Sequence, residues 1–334
     1  MTDARTDTAS IVERIRPVAA GGAVVAVHFL GDEAVFVLGE ESLLFWRDGA
    51  ERRVAVHGGG ILSAATDGER IVTGGDDGKV VAIDAAGKTN VIGQDAKHRW
   101  IDHVALGPNG AVGWSAGKNA FARTGAGEPR SVEVVSTVGG LAFAPKGVRL
   151  AIAHYNGASL WFPKTAAEPE RLEWKGSHLS VSFSPDSKFL ITSMQEPVLH
   201  GWRLADRKHM RMSGYSAKVR SLGWTADGKW LASAGAEQLI LWPFQAKDGP
   251  MGKPPRMLAP YPARAVLVSC HPKEPVVAVG YADGLLLLVR IEDGAEILAK
   301  KPGSAPVTAL GWRSDGAALA FGTEDGEAGV IDLA

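Results

Sequence analysis

The sequence is poor in cysteine, with Cys270 as the only one among 334 residues. A single cysteine excludes a disulfide bond within the chain, and it excludes zinc sites that need several cysteine ligands. Cys270 follows an apolar segment and precedes His271. We therefore expect this thiol to be a buried structural cysteine rather than a reactive one.

Long apolar runs and an excess of one charge are also missing. A membrane-spanning helix needs roughly 18 consecutive apolar residues, and the sequence has no such run. The first residues, MTDARTDTAS, are polar and lack the apolar stretch of a signal peptide. The 36 basic and 37 acidic residues leave a formal net charge of -1, which disfavours nucleic acid as a partner. We expect a monomeric cytoplasmic protein that binds neither membranes nor nucleic acid.

Motifs of common catalytic and metal sites are absent as well. The sequence contains no HExxH, GxSxG, Walker A or GxGxxG motif. The run GGDDGK (Gly74–Lys79) lacks the spacing of a phosphate loop, and its Asp77-Gly78 pair predicts a hairpin turn. We therefore expect no catalytic residues, no cofactor and no bound metal. The nine histidines are interpreted as polar residues of loops and strand ends. A metal site assembled from several repeats stays open as an alternative, and its candidates are His57, His98, His103, His154 and His178.

Internal repeats are the strongest signal that is present. Three blocks share one pattern, and they cover residues 179–202, 219–242 and 307–331. Each begins with an alternating apolar strand, continues through a turn with Asp-Gly or a related pair, and adds two more strands. The third strand ends in a bulky apolar residue. Units of this kind that recur about every 40 residues are typical of a β-propeller.

The same template fits the whole chain eight times. The residues predicted to end the third strands are Trp46, Ile83, Ala122, Phe162, Trp202, Trp242, Val289 and Ile331. We therefore predict an all-β propeller of eight four-stranded blades in a single domain over residues 10–334, behind a disordered tail at residues 1–9. Seven blades are the alternative. That count would make one block spurious, and the weakest blocks are the second (Ile61–Asp84) and the third (Trp100–Arg123).

The repeats resemble the WD40 repeat family from about Val18 to the C-terminus. The turns that match the family pattern are SPDS (Ser184–Ser187), TADG (Thr225–Gly228), RSDG (Arg313–Gly316) and APKG (Ala144–Gly147). The family's Trp-Asp dipeptide is absent as such, although Ile83-Asp84 and Ile331-Asp332 keep the aspartate. The resemblance implies a WD40-like propeller with degenerate repeats.

Family members often carry Gly-His before the first strand, where the histidine joins a buried His–Ser/Thr–Asp–Trp hydrogen-bond network. Tyr215 occupies that position in the sixth block. We therefore expect the network to be mostly missing here, and we expect apolar packing between blades to stabilise the fold in its place.

The last block lacks an outer strand, because the sequence ends at Ala334, just after a third strand. The segment SIVERIRPVAA (Ser10–Ala20) can supply this strand, and we predict that it closes the ring. The alternative is the start of a helix, with Ser10 as the N-cap and Glu13 three residues later.

The resemblance also implies where partners bind. Partners of WD40 propellers, often peptides, bind on the narrow face, where loops between blades meet the turns between second and third strands. Aromatic and basic residues, which interfaces favour, cluster there over blades three to seven. The candidate partner-binding residues are Arg99, Trp100, Asp102, His154, Tyr155, His178, Tyr215, Lys218, Arg220, Tyr261 and Arg264.

We interpret the protein as a non-catalytic scaffold or adaptor that binds a protein or peptide partner, with an acidic or aromatic-bearing peptide as the favoured ligand. A solvated face without a ligand stays open. The alternative function is a propeller enzyme or a metal-handling accessory protein with a site at the channel mouth. Convergence of three or more His, Asp or Glu side chains would favour that alternative.

Overall fold

The computed structural model of the chain describes residues 9–334. The predicted tail at residues 1–9 therefore lies outside the described residues except for Ala9, which begins the first strand. Two single-turn 3₁₀ helices span Val12–Arg14 and Pro108–Gly110. No helix in this part of the chain is long and apolar enough to cross a membrane.

Short strands make up most of the described chain. The first fourteen are β1 (Ala9–Ser10), β2 (Ile15–Ala19), β3 (Val24–Leu30), β4 (Glu33–Leu38), β5 (Ser42–Arg47), β6 (Ala50–Ala55), β7 (Ile61–Thr66), β8 (Arg70–Gly75), β9 (Lys79–Asp84), β10 (Thr89–Gln94), β11 (His103–Leu106), β12 (Val112–Ala116), β13 (Asn119–Arg123) and β14 (Arg130–Glu133). The next ten are β15 (Gly140–Phe143), β16 (Leu150–Trp161), β17 (Glu170–Phe183), β18 (Phe189–Met194), β19 (Leu199–Arg203), β20 (Lys208–Met212), β21 (Leu222–Trp224), β22 (Trp230–Ser233), β23 (Leu239–Pro243) and β24 (Arg256–Leu258). The last seven are β25 (Ala265–Cys270), β26 (Val276–Tyr281), β27 (Leu286–Arg290), β28 (Glu296–Lys300), β29 (Val307–Trp312), β30 (Ala318–Thr323) and β31 (Glu327–Asp332).

Hydrogen bonds join the strands of residues 9–334 into seven sheets. Five sheets have four strands, namely β3–β6, β7–β10, β11–β14, β21–β24, and β29–β31 with β2. One sheet has five strands, β25–β28 with β1, and one has six, β15–β20. The predicted count of eight separate four-stranded sheets is therefore wrong, and the alternative of seven matches.

The lower count arises where two consecutive repeats are joined. Strand β16 turns back on itself at Asn156 and Gly157, which have φ values of 65° and 138°. His154 Nε2 consequently lies only 2.9 Å from Ser159 Oγ. At this turn, Tyr155 of β16 pairs with Ser177 of β17. Strand β17 continues into the next repeat, where it pairs with β18 from His178 onwards. The second and third blocks, which were the weakest in the sequence, each form a four-stranded sheet.

Central strands and outer strands differ in burial for a physical reason. Every residue of β18 and β30 is buried, whereas β6 alternates between exposed and half-buried residues. A strand that is covered on both faces is a continuous apolar run, and a strand with one face in water alternates. The spacing of apolar residues in the sequence therefore distinguishes the outer strands from the central strands.

Seven of the eight predicted third-strand anchors are buried, and the prediction for Phe162 is wrong. Trp161 ends β16 and is buried, while Phe162 is exposed. Successive side chains of a strand point to opposite faces, so an error of one residue exchanges a core position for a solvent position.

The described residues form two compact units. The first contains residues 9–38, 44–53 and 220–334, and the second contains residues 39–43 and 54–219. In the first unit, one apolar cluster surrounds Phe36 and Trp46, and another surrounds Tyr281 and Leu287. In the second unit, Trp114, Trp161 and Trp202 each belong to a different apolar cluster.

The N-terminal segment supplies the missing outer strand in the first unit, as predicted. Strand β2 pairs antiparallel with β31 from Ile15–Ile331 to Ala19–Glu327. Arg16 reinforces this pairing, because its guanidinium contacts Asp332 at 3.1 Å and Asp48 at 2.9 Å. The helical alternative survives only as the single 3₁₀ turn before β2. Strand β1 adds a contact that the sequence did not indicate, since it runs parallel to β28 as a fifth strand.

A His–Thr–Asp network is present in the second repeat, where the sequence pattern did not indicate one. His57 Nε2 lies 2.8 Å from Thr73 Oγ1, and His57 Nδ1 lies 2.9 Å from Asp77 Oδ1. Burial alone would raise the pKa of Asp77, but hydrogen bonds from His57 and backbone N–H groups hold this pKa below its ordinary value. Asp77 also lies in the predicted hairpin turn, where Gly78 has a positive φ.

Candidate functional site

A tightly held loop in the second unit presents Trp100 to solvent. The buried Asp95 carboxylate accepts hydrogen bonds from the N–H groups of Lys97 and Arg99, both at 3.0 Å. It also accepts two hydrogen bonds from the Arg99 guanidinium, at 2.7 and 3.2 Å. These Arg99 contacts lower the pKa of Asp95 to about 2. Arg99 therefore orders the loop, while the Trp100 side chain beside it is 61% exposed.

Hydrogen bonds link this loop to two neighbouring segments. Arg99 Nη1 donates to Asn119 Oδ1 at 3.0 Å, and the N–H of Val134 donates to the Lys118 carbonyl at 3.0 Å. Val135 follows directly and is 49% exposed. The three large exposed side chains in these segments and the next turn, Trp100, Val135 and Tyr155, are called the apolar arc below.

Tyr155 lies at the hairpin turn of β16 and is 52% exposed. Its backbone N–H donates to Ser136 Oγ at 2.8 Å, which attaches the turn to the segment that carries Val135. Large, exposed and conformationally restrained apolar side chains are the usual anchors of protein interfaces, because little entropy is lost when they bind.

A cavity of about 570 Å³ opens beside Tyr155. Val135, Tyr155 and Trp174 line it together with the two cationic side chains Arg171 and Lys175. Arg171, Trp174 and Lys175 lie in β17, and they are not among the site residues predicted from the sequence. The alternation of charged residues along this strand was the sequence feature that could have identified them.

Two of the sequence-predicted site residues are buried histidines. His178 Nε2 donates to the Trp174 carbonyl at 3.0 Å, so Nδ1 accepts from Thr192 Oγ1 at 2.8 Å. His154 similarly lies between the Tyr155 carbonyl and Ser159 Oγ. Burial lowers the pKa of both imidazoles. They position the backbone of Trp174 and Tyr155, and their burial removes them from direct contact with a partner.

His200 packs as an aromatic ring behind Trp174. The two ring centroids are 4.0 Å apart and nearly parallel, and Trp202 makes an edge contact with His200 at 4.7 Å. His200 is fully buried, and neither of its ring nitrogens has a hydrogen-bond partner. Burial lowers the pKa of His200 to about 3. Within residues 9–334, no group of three or more His, Cys, Asp or Glu side chains is arranged to hold a metal ion.

The remaining predicted residues of the second unit differ in exposure. Asp102 is half-buried and Tyr215 is buried. Lys218 is half-buried, and its Nζ donates to Gln195 Oε1 at 3.4 Å. Tyr215 is thus excluded from the exposed surface by packing that its sequence position did not reveal.

Three predicted residues lie in the first unit. Arg220 and Arg264 are exposed. Tyr261 is half-buried, and its hydroxyl donates to Asp283 Oδ2 at 2.8 Å. Cys270 is half-buried, and burial raises the pKa of its thiol to about 12, which keeps it protonated at neutral pH.

Two family models match separate parts of the chain. The WD domain, G-beta repeat model matches residues 207–242, and the model of the anaphase-promoting complex subunit 4 WD40 domain matches residues 268–334. Together with the fold, these matches support a WD40 repeat family for the chain. A comparison with curated protein sequences gives no match.

Solved structures similar to this WD40 repeat protein show the same fold. The computationally designed Ika8 protein has a TM-score of 0.76 at 16% identity, over 93% of this chain and 96% of that chain. The RRP9 WD40 repeats have a TM-score of 0.63 at 14% identity, over 85% of this chain and 97% of that chain. The all-β, WD40-like β-propeller predicted from the sequence is confirmed.

Proposed function

We propose that this WD40 repeat protein is a non-catalytic scaffold that binds a protein or peptide partner through the apolar arc. The observation that carries the proposal is the exposure of Trp100 on a loop that Asp95 and Arg99 hold in place. WD40 propellers generally act as scaffolds for protein interactions, which supports the proposal. Two of its residues, Trp100 and Tyr155, were predicted from the sequence to lie on the narrow binding face, and we propose that the partner binds there.

The sequence supports a more detailed description of the protein and of its partner. We propose a single propeller domain, a monomeric state, a cytoplasmic location and a partner with acidic or aromatic residues. Arg220 and Arg264 of the first unit are proposed as further partner-binding residues, since both are exposed cations. Charge reversal at either residue should then weaken partner capture and leave the melting temperature unchanged.

Site-specific photo-crosslinking tests the proposal. A photoreactive phenylalanine analogue replaces Trp100 or Tyr155, and it replaces exposed Phe162 in a matched control. We expect the same partner to be crosslinked from both arc positions and not from position 162. Absence of adducts at both arc positions, or equal adducts at all three, would refute the proposed function.

A further inference from the structure

The cavity beside Tyr155 has a charge pattern set by strand geometry. Arg171, Glu173 and Lys175 are alternate residues of β17 and all three are exposed, whereas Leu172 is buried and Trp174 is half-buried. The register of β17 against β16 shifts between Glu173 and Ser177, so the two cations are at most about 13 Å apart along the strand, at about 3.3 Å per residue. All three residues line the cavity. A ligand in the cavity therefore meets a positive, a negative and a second positive group in turn.

The two cations are available to a ligand. Other arginines of the chain are already paired: Arg203 and Arg290 each form an ion pair, at 2.5 Å, with an aspartate three residues later. Arg171 and Lys175 are exposed, and among the described residues neither has an ion pair or a hydrogen bond from its side chain. Arg171 lines the cavity together with His154, so its charge is close to the cavity wall.

The apolar walls of the cavity are held in position. The Trp174 ring stacks on buried His200, and its backbone carbonyl accepts the hydrogen bond from His178. Tyr155 is attached through its backbone to Ser136. A volume of about 570 Å³ is in the range of pockets that enclose a ligand larger than one side chain. The cavity can therefore accept an apolar side chain together with flanking backbone.

We infer that this cavity is a subsite for an extended acidic peptide segment of a protein partner. In an extended peptide that runs along β17, residues at positions i, i+2 and i+4 face the protein. Acidic residues at i and i+4 would contact Arg171 and Lys175. The residue at i+2 would lie opposite Glu173, which disfavours a third acidic residue there. An apolar or aromatic side chain at i+2 would enter the cavity between Tyr155 and Trp174. This inference rests on the proposed function and names the class of partner.

Fluorescence anisotropy at low ionic strength tests this inference with a labelled synthetic peptide, Ser-Glu-Ser-Phe-Ser-Glu-Ser. The comparison peptides replace both glutamates by glutamine, or phenylalanine by alanine. The protein variants are Arg171→Glu, Lys175→Glu and Tyr155→Ala, with exposed Lys164→Glu as the matched control. All substituted side chains are exposed, so thermal melting should confirm that each variant folds.

We expect the glutamate peptide to bind, and each cavity charge reversal to weaken binding by about tenfold because it replaces attraction by repulsion. Lys164→Glu should have no effect beyond about twofold, and each comparison peptide should bind more weakly. Equal binding of the glutamine peptide, or unchanged binding by Arg171→Glu, would overturn the inference. Tighter binding of a short single-stranded oligonucleotide than of the peptide would overturn it as well. If Trp100 crosslinks a partner while the peptide does not bind, the inference fails and the proposed function stands.

Discussion

Replacing Asp95 by alanine should loosen the loop that presents Trp100 without unfolding the protein. The Asp95 carboxylate accepts four hydrogen bonds, two from backbone N–H groups and two from the Arg99 guanidinium. A hydrogen bond to a charged group contributes roughly 1.5–3 kcal/mol when well formed. These four act as one unit, and the Arg99 side chain is 36% exposed, so solvent screens part of the interaction. We therefore expect a total of about 2 kcal/mol.

That free energy corresponds to a change of about 30-fold in the opening equilibrium of the loop. Hydrogen exchange measured by mass spectrometry should show exchange about 30-fold faster at the amides of Lys97 and Arg99 in the variant. The amides of the buried strand β8 should be unaffected. Asp84→Ala is the matched control, since the carboxylate of exposed Asp84 accepts a hydrogen bond from the N–H of Lys88 at 2.9 Å. Unchanged exchange at Lys97 and Arg99 would refute the role assigned to Asp95.

The same carboxylate gives the loop a defined dependence on pH. The pKa of Asp95 is lowered from 3.8 to about 2 in the folded protein. A lowered folded-state pKa means that the contribution is complete above about pH 4 and is lost as the pH falls towards 2. The difference in exchange between the original protein and Asp95→Ala should therefore shrink over that interval and be constant at neutral pH.

Two further predictions concern stability. Thr73→Val removes the hydroxyl partner of buried His57 Nε2, so urea denaturation should show a loss of about 1–3 kcal/mol. The matched control Thr89→Val, on the exposed edge strand β10, should change little, and equal stability of both variants would contradict the network. Deletion of residues 1–17 removes Ile15–Pro17 from β2 and unpairs β31, so the melting temperature should fall by several degrees. Arg16→Ala should have a smaller effect, about 1 kcal/mol or less, because its ion pairs are exposed. A melting curve that the deletion leaves unchanged would show that the strand does not stabilise the fold.

The candidate site could be predicted only in part. Trp100 and Tyr155 were identified because turn positions follow from the repeat, and aromatic residues in turns are visible in the sequence. The burial of His154, His178 and Tyr215 was not visible, since it depends on side chains packed over them from other strands. Arg171 and Lys175 were recognisable as outer-strand residues, but the cavity that they line forms only where β17 meets the turn of β16.

By itself, the sequence determined the strand repeat, the turns and the N-terminal outer strand, because alternation along a strand and turn chemistry are local properties. The tertiary structure alone decided the number of sheets, through the Tyr155–Ser177 pair that joins two repeats. It also decided that Trp161 rather than Phe162 enters the core, and that His57, Thr73 and Asp77 form a network. Each of these outcomes depends on contacts between residues that are far apart in the sequence. A periodic sequence pattern does not specify those contacts, because hydrogen bonding and packing in the folded chain determine them.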